Sequence, residues 1–192
     1  MIRWMTLCVV ALTVAAVADE PRWTIDAKMS RITFTGRQMG APSKGEFKKF
    51  SADIRFDPAN LAASAVDVTI ETASADTGNR DLDTELKRPN WFEVERFPHA
   101  RFATTSLRGK GGNVYEAAAR LTIRDITQDV VLPFTLDINP DSADPAQLLA
   151  KAAGELTISR SQFGIGRAEW RDTKIVADEV VIRIEVVARR RK

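Results

Sequence analysis

The stretch SADTGNRDLDTELKRPNWFEVERFPHARF, residues 74–102, is the place where a chain of alternating character changes its habit. Thr77-Gly78 opens it with a turn signal. From Asn79 to Lys87 the leucines Leu82 and Leu86 stand four apart among Asp81, Asp83 and Glu85. That spacing predicts a short helix with the leucines on its apolar side and Asp81 and Glu85 on a wet face. Pro89 stops it. Trp91-Phe92 follows as a pair of large aromatics. Phe97-Pro98 then gates a strand in which His99 and Arg101 alternate with Ala100 and Phe102, so that His99 points to solvent if Phe102 is internal.

Outward from this block, alternation with a period of two dominates, the pattern of strands with one buried and one wet face. Val66-Asp67-Val68-Thr69-Ile70-Glu71 is its cleanest instance. Ile32 and Phe34 alternate with Thr33 and Thr35, Ile54 and Phe56 with Asp53 and Arg55, and Ile182, Ile184 and Val186 with Arg183 and Glu185. Further strands are predicted at Arg101–Leu107, Val114–Arg124, Val130–Ile138 and Ala152–Arg160, with turns at Gly109–Asn113 and around Asp57–Asn60. Asn139–Leu149, with Pro140 and Pro145, reads as a loop with a short helical turn. No repeat and no shift of composition marks a domain boundary. Regularly spaced strands fit a sandwich or a barrel, and periodicity does not separate the two.

Taken together, Thr77-Gly78, Arg80-Asp81, Trp91-Phe92 and Phe97-Pro98-His99-Ala100-Arg101-Phe102 resemble the central signature of the YceI family, bacterial secreted lipocalin-like barrels associated with polyisoprenoid binding. The resemblance continues upstream through Trp23-Thr24-Ile25-Asp26, Gly45-Glu46-Phe47 and Phe56-Asp57-Pro58. Downstream it takes in Ala119-Arg120-Leu121-Thr122-Ile123 and Arg160-Ser161-Gln162-Phe163-Gly164-Ile165. It implies an all-β fold, an antiparallel up-and-down lipocalin-like barrel of about eight strands with a short helix. It also implies a carrier holding an isoprenoid chain, of a polyprenyl lipid or an isoprenoid quinone, in the barrel interior, and family relatives suggest a homodimer. Many relatives place a histidine two residues after the Arg-Asp aspartate. This chain has Asp83 there.

The first eighteen residues carry Arg3, an apolar run from Trp4 to Val17 and then Ala16-Val17-Ala18, whose small residues suit a signal peptidase. They are read as a signal peptide over residues 1–18, cleaved before Asp19, because the run is shorter than the ~20 residues that cross hydrocarbon. The expected address is the periplasm. The chain's one cysteine, Cys8, lies early in the apolar run, away from the cleavage site, so lipidation is not expected. Removing eighteen of 192 residues leaves 174, one domain over residues 19–192, without cysteine and so without disulfide, thiolate nucleophile or thiolate ligand. Loss of Arg3 takes 28 basic side chains to 27 against 26 acidic ones, a balance that gives no case for nucleic acid. Arg189-Arg190-Arg191-Lys192 reads as a basic tail that aids solubility, with transient contact to an anionic membrane surface as the alternative.

His99 is the only histidine, which excludes a multi-histidine metal site. Neither a nucleophile elbow, a phosphate loop nor an EF-hand spacing is present, so no catalytic residue, metal or cofactor is expected. The candidate ligand-binding residues are the inward aromatic and aliphatic positions: Phe34, Phe47, Ile54, Phe56, Val68, Ile70, Phe102, Phe134 and Phe163, with Trp91 and Phe92 closing one end. A linear isoprenoid offers hydrocarbon groups alone and no polar handle, so a protein selects it by a long dry tunnel of suitable shape. A quinone or phosphate head would want donors near the mouth. Arg37, Gln38, Lys44 and Arg80, from the flanking turns, are the candidates. Two other readings stand: an enzyme acting on a barrel-bound lipid, and a barrel filled by its own side chains.

Overall fold

The computed structural model describes residues 21–192. The signal-peptide reading and its cleavage site lie outside them. The strands are β1 (Arg22–Ile25), β2 (Arg31–Gln38), β3 (Ala41–Phe47), β4 (Phe50–Arg55), β5 (Ala65–Glu71), β6 (Ala75–Asp76), β7 (His99–Gly111), β8 (Val114–Ile123), β9 (Ile126–Pro140), β10 (Gln147–Ser159) and β11 (Glu179–Arg191). One helix, α1 (Arg80–Leu86), stands between β6 and β7. All neighbouring strands are antiparallel, in the order β1-β4-β5-β7-β8-β9-β10-β11, and β11 returns to β1, so eight strands close the barrel.

Three walls are interrupted strands. β1 and β2 lie end to end along β11, β3 pairs with β2 and β4 with β1, and the short β6 continues β5 beside β3. Each interruption leaves backbone groups without ladder partners, and a hydroxyl supplies them. Ser30 Oγ accepts from Val187 N at 3.0 Å. Ser74 Oγ accepts from Lys49 N at 3.1 Å, and Thr72 Oγ1 donates to Phe97 O at 2.8 Å. The remaining walls are long because alternating β-branched and aromatic residues suit a pleat buried on one side.

The alternation in β7 changes phase after Thr104. A bulge between Thr104 and Ser106 shifts the register against β8, so that Ala100 and Phe102 are buried before it and Leu107 after it. At the lower end Phe56 meets Tyr115 edge-on at 5.6 Å, and Tyr115 stacks on Phe134 at 5.5 Å. Trp23 Nε1 donates to Phe56 O at 2.9 Å and fixes β1 to the end of β4.

Two sequence expectations give way here. The segment after β9 has no helical turn: β9 runs to Pro140, β10 starts at Gln147, and a tight loop held by Asp141 and Asp144 joins them. Nor is the basic end of the chain a tail. Arg189–Arg191 belong to β11, with Arg189 opposite Thr24 and Leu149. Arg189 donates to Asp26 at 2.6 Å and to Asp141 at 2.7 Å, while the Arg190 guanidinium lies 5.1 Å from the Trp23 ring. The last strand closes the barrel, so Arg189 and Arg190 are engaged in the seam.

Candidate functional site

Inside the barrel are two chambers placed end to end, each of about 170 Å³. The lower one is walled by side chains from every composite strand, among them Trp23, Ile54, Phe56, Val68, Phe102, Leu132, Phe134 and Ile184. Thr104 brings the one polar side chain, and its hydroxyl is spent on Val66, accepting from N at 2.8 Å and donating to O at 3.2 Å. The space exists because many inward positions are small: Ala52, Ala117, Ala150, Ala152, Gly154 and Ala188 all line it. Gly154 is a requirement of the wall itself, since a Cβ there would stand 2.8 Å from Pro133 O.

The upper chamber is walled by Phe34, Phe47, Ala100, Ile123, Ile158 and Val180 and covered by Leu82, Leu86, Trp91, Phe92 and Trp170. The chambers share Ile32, Ile70, Leu121 and Ile182, which form the waist between them. Phe34 and Phe47 meet at 5.3 Å, and Phe47 meets Phe92 at 5.8 Å. Gly45 is required here because the Phe34 ring occupies the place its Cβ would take. Unlike the lower chamber, this one has polar groups in its lining: Arg37, Gln38, Ser43, Thr77, Glu85 and Arg160.

Its cover consists of two irregular segments, 77–98 and 160–178, each organised by one buried arginine. Arg160, 3% exposed, distributes its donors among five backbone carbonyls: Ala177 at 3.0 Å, Ile165 at 2.8 Å, Gly166 at 3.1 Å, Trp170 at 2.8 Å and Val176 at 2.7 Å. Gly166 is left-handed, and a Cβ on it would collide with that guanidinium. Burial pulls the Arg160 pKa below its ordinary value, with the Asp178 charge opposing. Arg124, at the β8–β9 turn, donates to Pro89 O at 2.7 Å and to Trp91 O, pairs with Glu93 and lies over the Phe97 ring at 5.2 Å.

The two segments are joined to each other. Gly166 N and Arg167 N donate to Asn90 O at 2.8 and 2.9 Å, Trp91 meets Trp170 at 5.7 Å, and Trp170 Nε1 donates to Glu85 Oε1 at 3.0 Å. The Trp91 indole N–H is buried and has no acceptor among the described residues.

Of the sequence candidates, Ile54, Phe56, Val68, Phe102 and Phe134 line the lower chamber, Phe34, Phe47, Trp91 and Phe92 the upper one, and Ile70 both. Phe163 lines neither: it is 1% exposed in the packed core, held in the short turn that starts at Arg160. Arg37 and Gln38 reach the upper lining, whereas Lys44 and Arg80 are exposed and outside it. Lys44 alternates with Ser43, and it is Ser43 that faces in.

The helix forms over Arg80–Leu86, with Asn79 as its cap accepting from Asp81 N at 3.0 Å and Leu82 N at 3.2 Å. Its leucines face the chamber as their spacing predicts, but Glu85 does not stay on the wet face. It turns to the cover, where it holds Trp170 and pairs with Arg88 at 3.1 Å. Asp83 accepts from Thr77 N and Oγ1, both at 2.7 Å, and so secures the turn ahead of the helix. His99 is exposed at the start of β7. Among the described residues no group of three or more His, Cys, Asp or Glu side chains is placed to hold a metal ion.

The alanines and the two arginines are not among the sequence candidates for the site, although Arg160 opens one segment of the resemblance. An alanine at an inward strand position subtracts volume, a signal available from alternation in Ala150-Lys151-Ala152 and Val186-Val187-Ala188. A buried arginine serving backbone carbonyls has no sequence signature distinct from a surface one.

The YceI-like domain family matches residues 23–188. A UPF0312 protein of Photorhabdus laumondii is 36% identical over 88 residues, 46% of this chain and 45% of its own length. Against the first curated relatives the match spans between 45% and 66% of their length. The crystal structure of BcnA from Burkholderia cenocepacia superposes with a TM-score of 0.77 at 36% identity, covering 85% of this chain and 98% of that one. A polyisoprenoid binding domain from Saccharophagus degradans, 12% identical, shares the fold with a TM-score of 0.65 over 88% of this chain and 98% of its own. Barrel, helix and aromatic signature thus converge with the domain match, and the chain belongs to the YceI-like family.

Proposed function

We propose that the protein is a non-catalytic carrier that holds a long apolar lipid, an isoprenoid chain of a polyprenyl lipid or isoprenoid quinone, along the two chambers of its barrel. The observation that carries this reading is the pair of end-to-end cavities with an apolar waist. Protein interiors are ordinarily close-packed, with few voids larger than a water molecule, and here alanines hold the space open. A dry apolar cavity does not attract water. Hydrocarbon suits it, at ~0.8 kcal/mol per buried methylene, so a few isoprene units offset several kcal/mol of ordering. The polyisoprenoid-binding description of the Saccharophagus domain agrees with that ligand class.

The tail belongs in the lower chamber, where no polar group is free. A head group with acceptor oxygens belongs in the upper one, near Gln38, Ser43 and the unpaired Trp91 N–H. Glu85 is the one carboxylate lining either chamber among the described residues, and it is engaged by Trp170 and Arg88, which favours binding over acid-base chemistry. The residues before Asp19 direct the protein to the periplasm by the signal-peptide reading. Lipid extraction from protein purified out of bacterial periplasm, followed by mass spectrometry, tests ligand and address together. An isoprenoid recovered with a chain that starts at Asp19 supports both. Full-length protein in the membrane fraction would contradict the address, and lipid-free protein that takes up none would contradict the carrier.

A further inference from the structure

The tip of the β2–β3 hairpin is an exposed sequence of a kind that folding alone does not favour. Met39 and Gly40 both have left-handed backbones, with φ of 48° and 80°. A two-residue turn of that kind is usually Asn-Gly, and a methionine in its first position is strained. Here Met39 is also 81% exposed, and Ala41 and Pro42 beside it are exposed. The tip is thus four exposed residues without charge or polar side chain.

A second apolar residue stands next to it. Met39 N donates to Ile175 O at 2.7 Å, and Ile175 is 39% exposed. Around this pair the hairpin contributes Arg37 and Lys44 and no acid, and the segment 167–175 contributes Arg167, Arg171 and Lys174 against Glu169 and Asp172. None of those five cations forms an ion pair among the described residues, unlike Arg101, which pairs with Asp67, and Arg183, which pairs with Glu155, on the barrel wall. The residues flanking the tip, Arg37, Gln38 and Val176, line the upper chamber, so the patch sits at the chamber's mouth.

We infer that this end of the barrel docks on an anionic lipid bilayer, with Met39 and Ile175 entering the interface and the surrounding cations meeting the headgroups. An apolar finger ringed by unpaired cations matches that chemistry, since the charges gain from the surface potential and the apolar side chains from burial. The role this gives the patch, presenting the mouth of the chamber to the membrane that supplies or receives the lipid, rests on the carrier reading. The docking itself does not.

The test is co-sedimentation of the protein purified from bacterial periplasm with vesicles of phosphatidylcholine alone and of phosphatidylcholine with phosphatidylglycerol, at low and at 0.5 M salt. Wild-type protein is expected to partition about ten-fold more strongly onto the anionic vesicles at low salt and to lose that preference at high salt. Met39→Asn with Ile175→Ser should reduce binding several-fold. Because asparagine suits the left-handed turn position, the Met39→Asn change should leave the melting temperature unchanged or raised, which separates docking from folding. Lys44→Glu with Lys174→Glu should abolish the anionic preference, and Lys110→Glu at the opposite end should leave it intact. Equal binding to both vesicle types, or loss of binding on Lys110→Glu, would overturn the inference. So would a change of sedimentation velocity, without a change of vesicle binding, on altering Met39 and Ile175, because the patch would then join two copies of this chain. Lipid occupancy of the same variants by native mass spectrometry keeps the two readings apart. If wild-type protein retains lipid yet ignores vesicles, docking fails and the carrier stands.

Discussion

Arg160 shows how much of the upper chamber depends on a single side chain. Five carbonyls from residues 165–177 converge on one guanidinium, and removing it leaves them without donors in a place that water reaches poorly. Each unsatisfied buried group costs about 1–3 kcal/mol, partly recovered as the segment opens. Arg160→Ala is therefore expected to lower unfolding stability by about 3 kcal/mol or more and to expose Trp170, measurable as a red-shifted tryptophan emission together with a lower urea midpoint. Unchanged emission and midpoint would mean that the segment keeps its shape without the arginine. Ala152 offers the opposite experiment. Ala152→Phe places a large ring in the lower chamber, and where overpacking of a full core costs about 1–3 kcal/mol, a void of this size absorbs it. The expected result is lost lipid binding with a melting temperature that is unchanged or higher. A fall of several degrees with binding retained would mark the barrel as filled. At this scale the sequence was legible for inward aromatics and illegible for what holds them. Phe34 and Phe102 announce their direction by alternation, whereas Arg160 and Arg124 look like any surface cation until the carbonyls around them are placed by the chain on either side.

At the scale of elements, the seam between β1 and β11 has a predictable response to acid. Arg189 is the chief reason that the Asp26 carboxyl lies below its usual range, while for Asp141 the Ala143 N–H leads and Arg189 adds to it. A carboxyl whose folded pKa is lowered contributes stability above its unfolded value of about 3.9, and that contribution is lost as pH falls through the lowered folded value. Wild-type protein should therefore keep a level urea midpoint from neutral pH down to about pH 4 and lose stability below it. Arg189→Gln should lower the midpoint at neutral pH and make the acid limb shallower. An acid limb of wild-type steepness in that variant would remove the seam from the account. Alternation was a sound guide to β8 and β9, because an uninterrupted strand facing a dry interior must alternate, and to β5 as far as its break at Thr72. It was silent on the bulge after Thr104 and on the broken walls, where serine and threonine hydroxyls complete the ladders. Arg189–Lys192 reads as a tail because charge runs at chain ends are usually solvated, and here strand pairing of Arg189–Arg191 with β1 and β10 prevails. Glu85 was assigned to the wet face for a similar reason: helical spacing orders side chains around an axis, but the Trp170 that recruits Glu85 lies 85 residues away.

For the molecule as a whole, the choice of barrel over sandwich rested on the family resemblance, whose central signature is residues 74–102. In the structure the same block forms the helix and half the cover of the upper chamber. What composition could not show is whether the interior is empty or full, since the same count of apolar residues serves both. The difference lies in which inward positions are alanine, and so in the register of four strands at once, β4, β8, β10 and β11. The central claim is that this interior holds a lipid chain, and native mass spectrometry of the wild-type protein purified from bacteria without detergent tests it most directly. The account predicts a population heavier than the bare chain, which releases a hydrocarbon-rich species of isoprenoid mass on activation and which Ala152→Phe abolishes. A wild-type spectrum at the bare-chain mass alone, unchanged after incubation with a polyprenyl lipid, would contradict it.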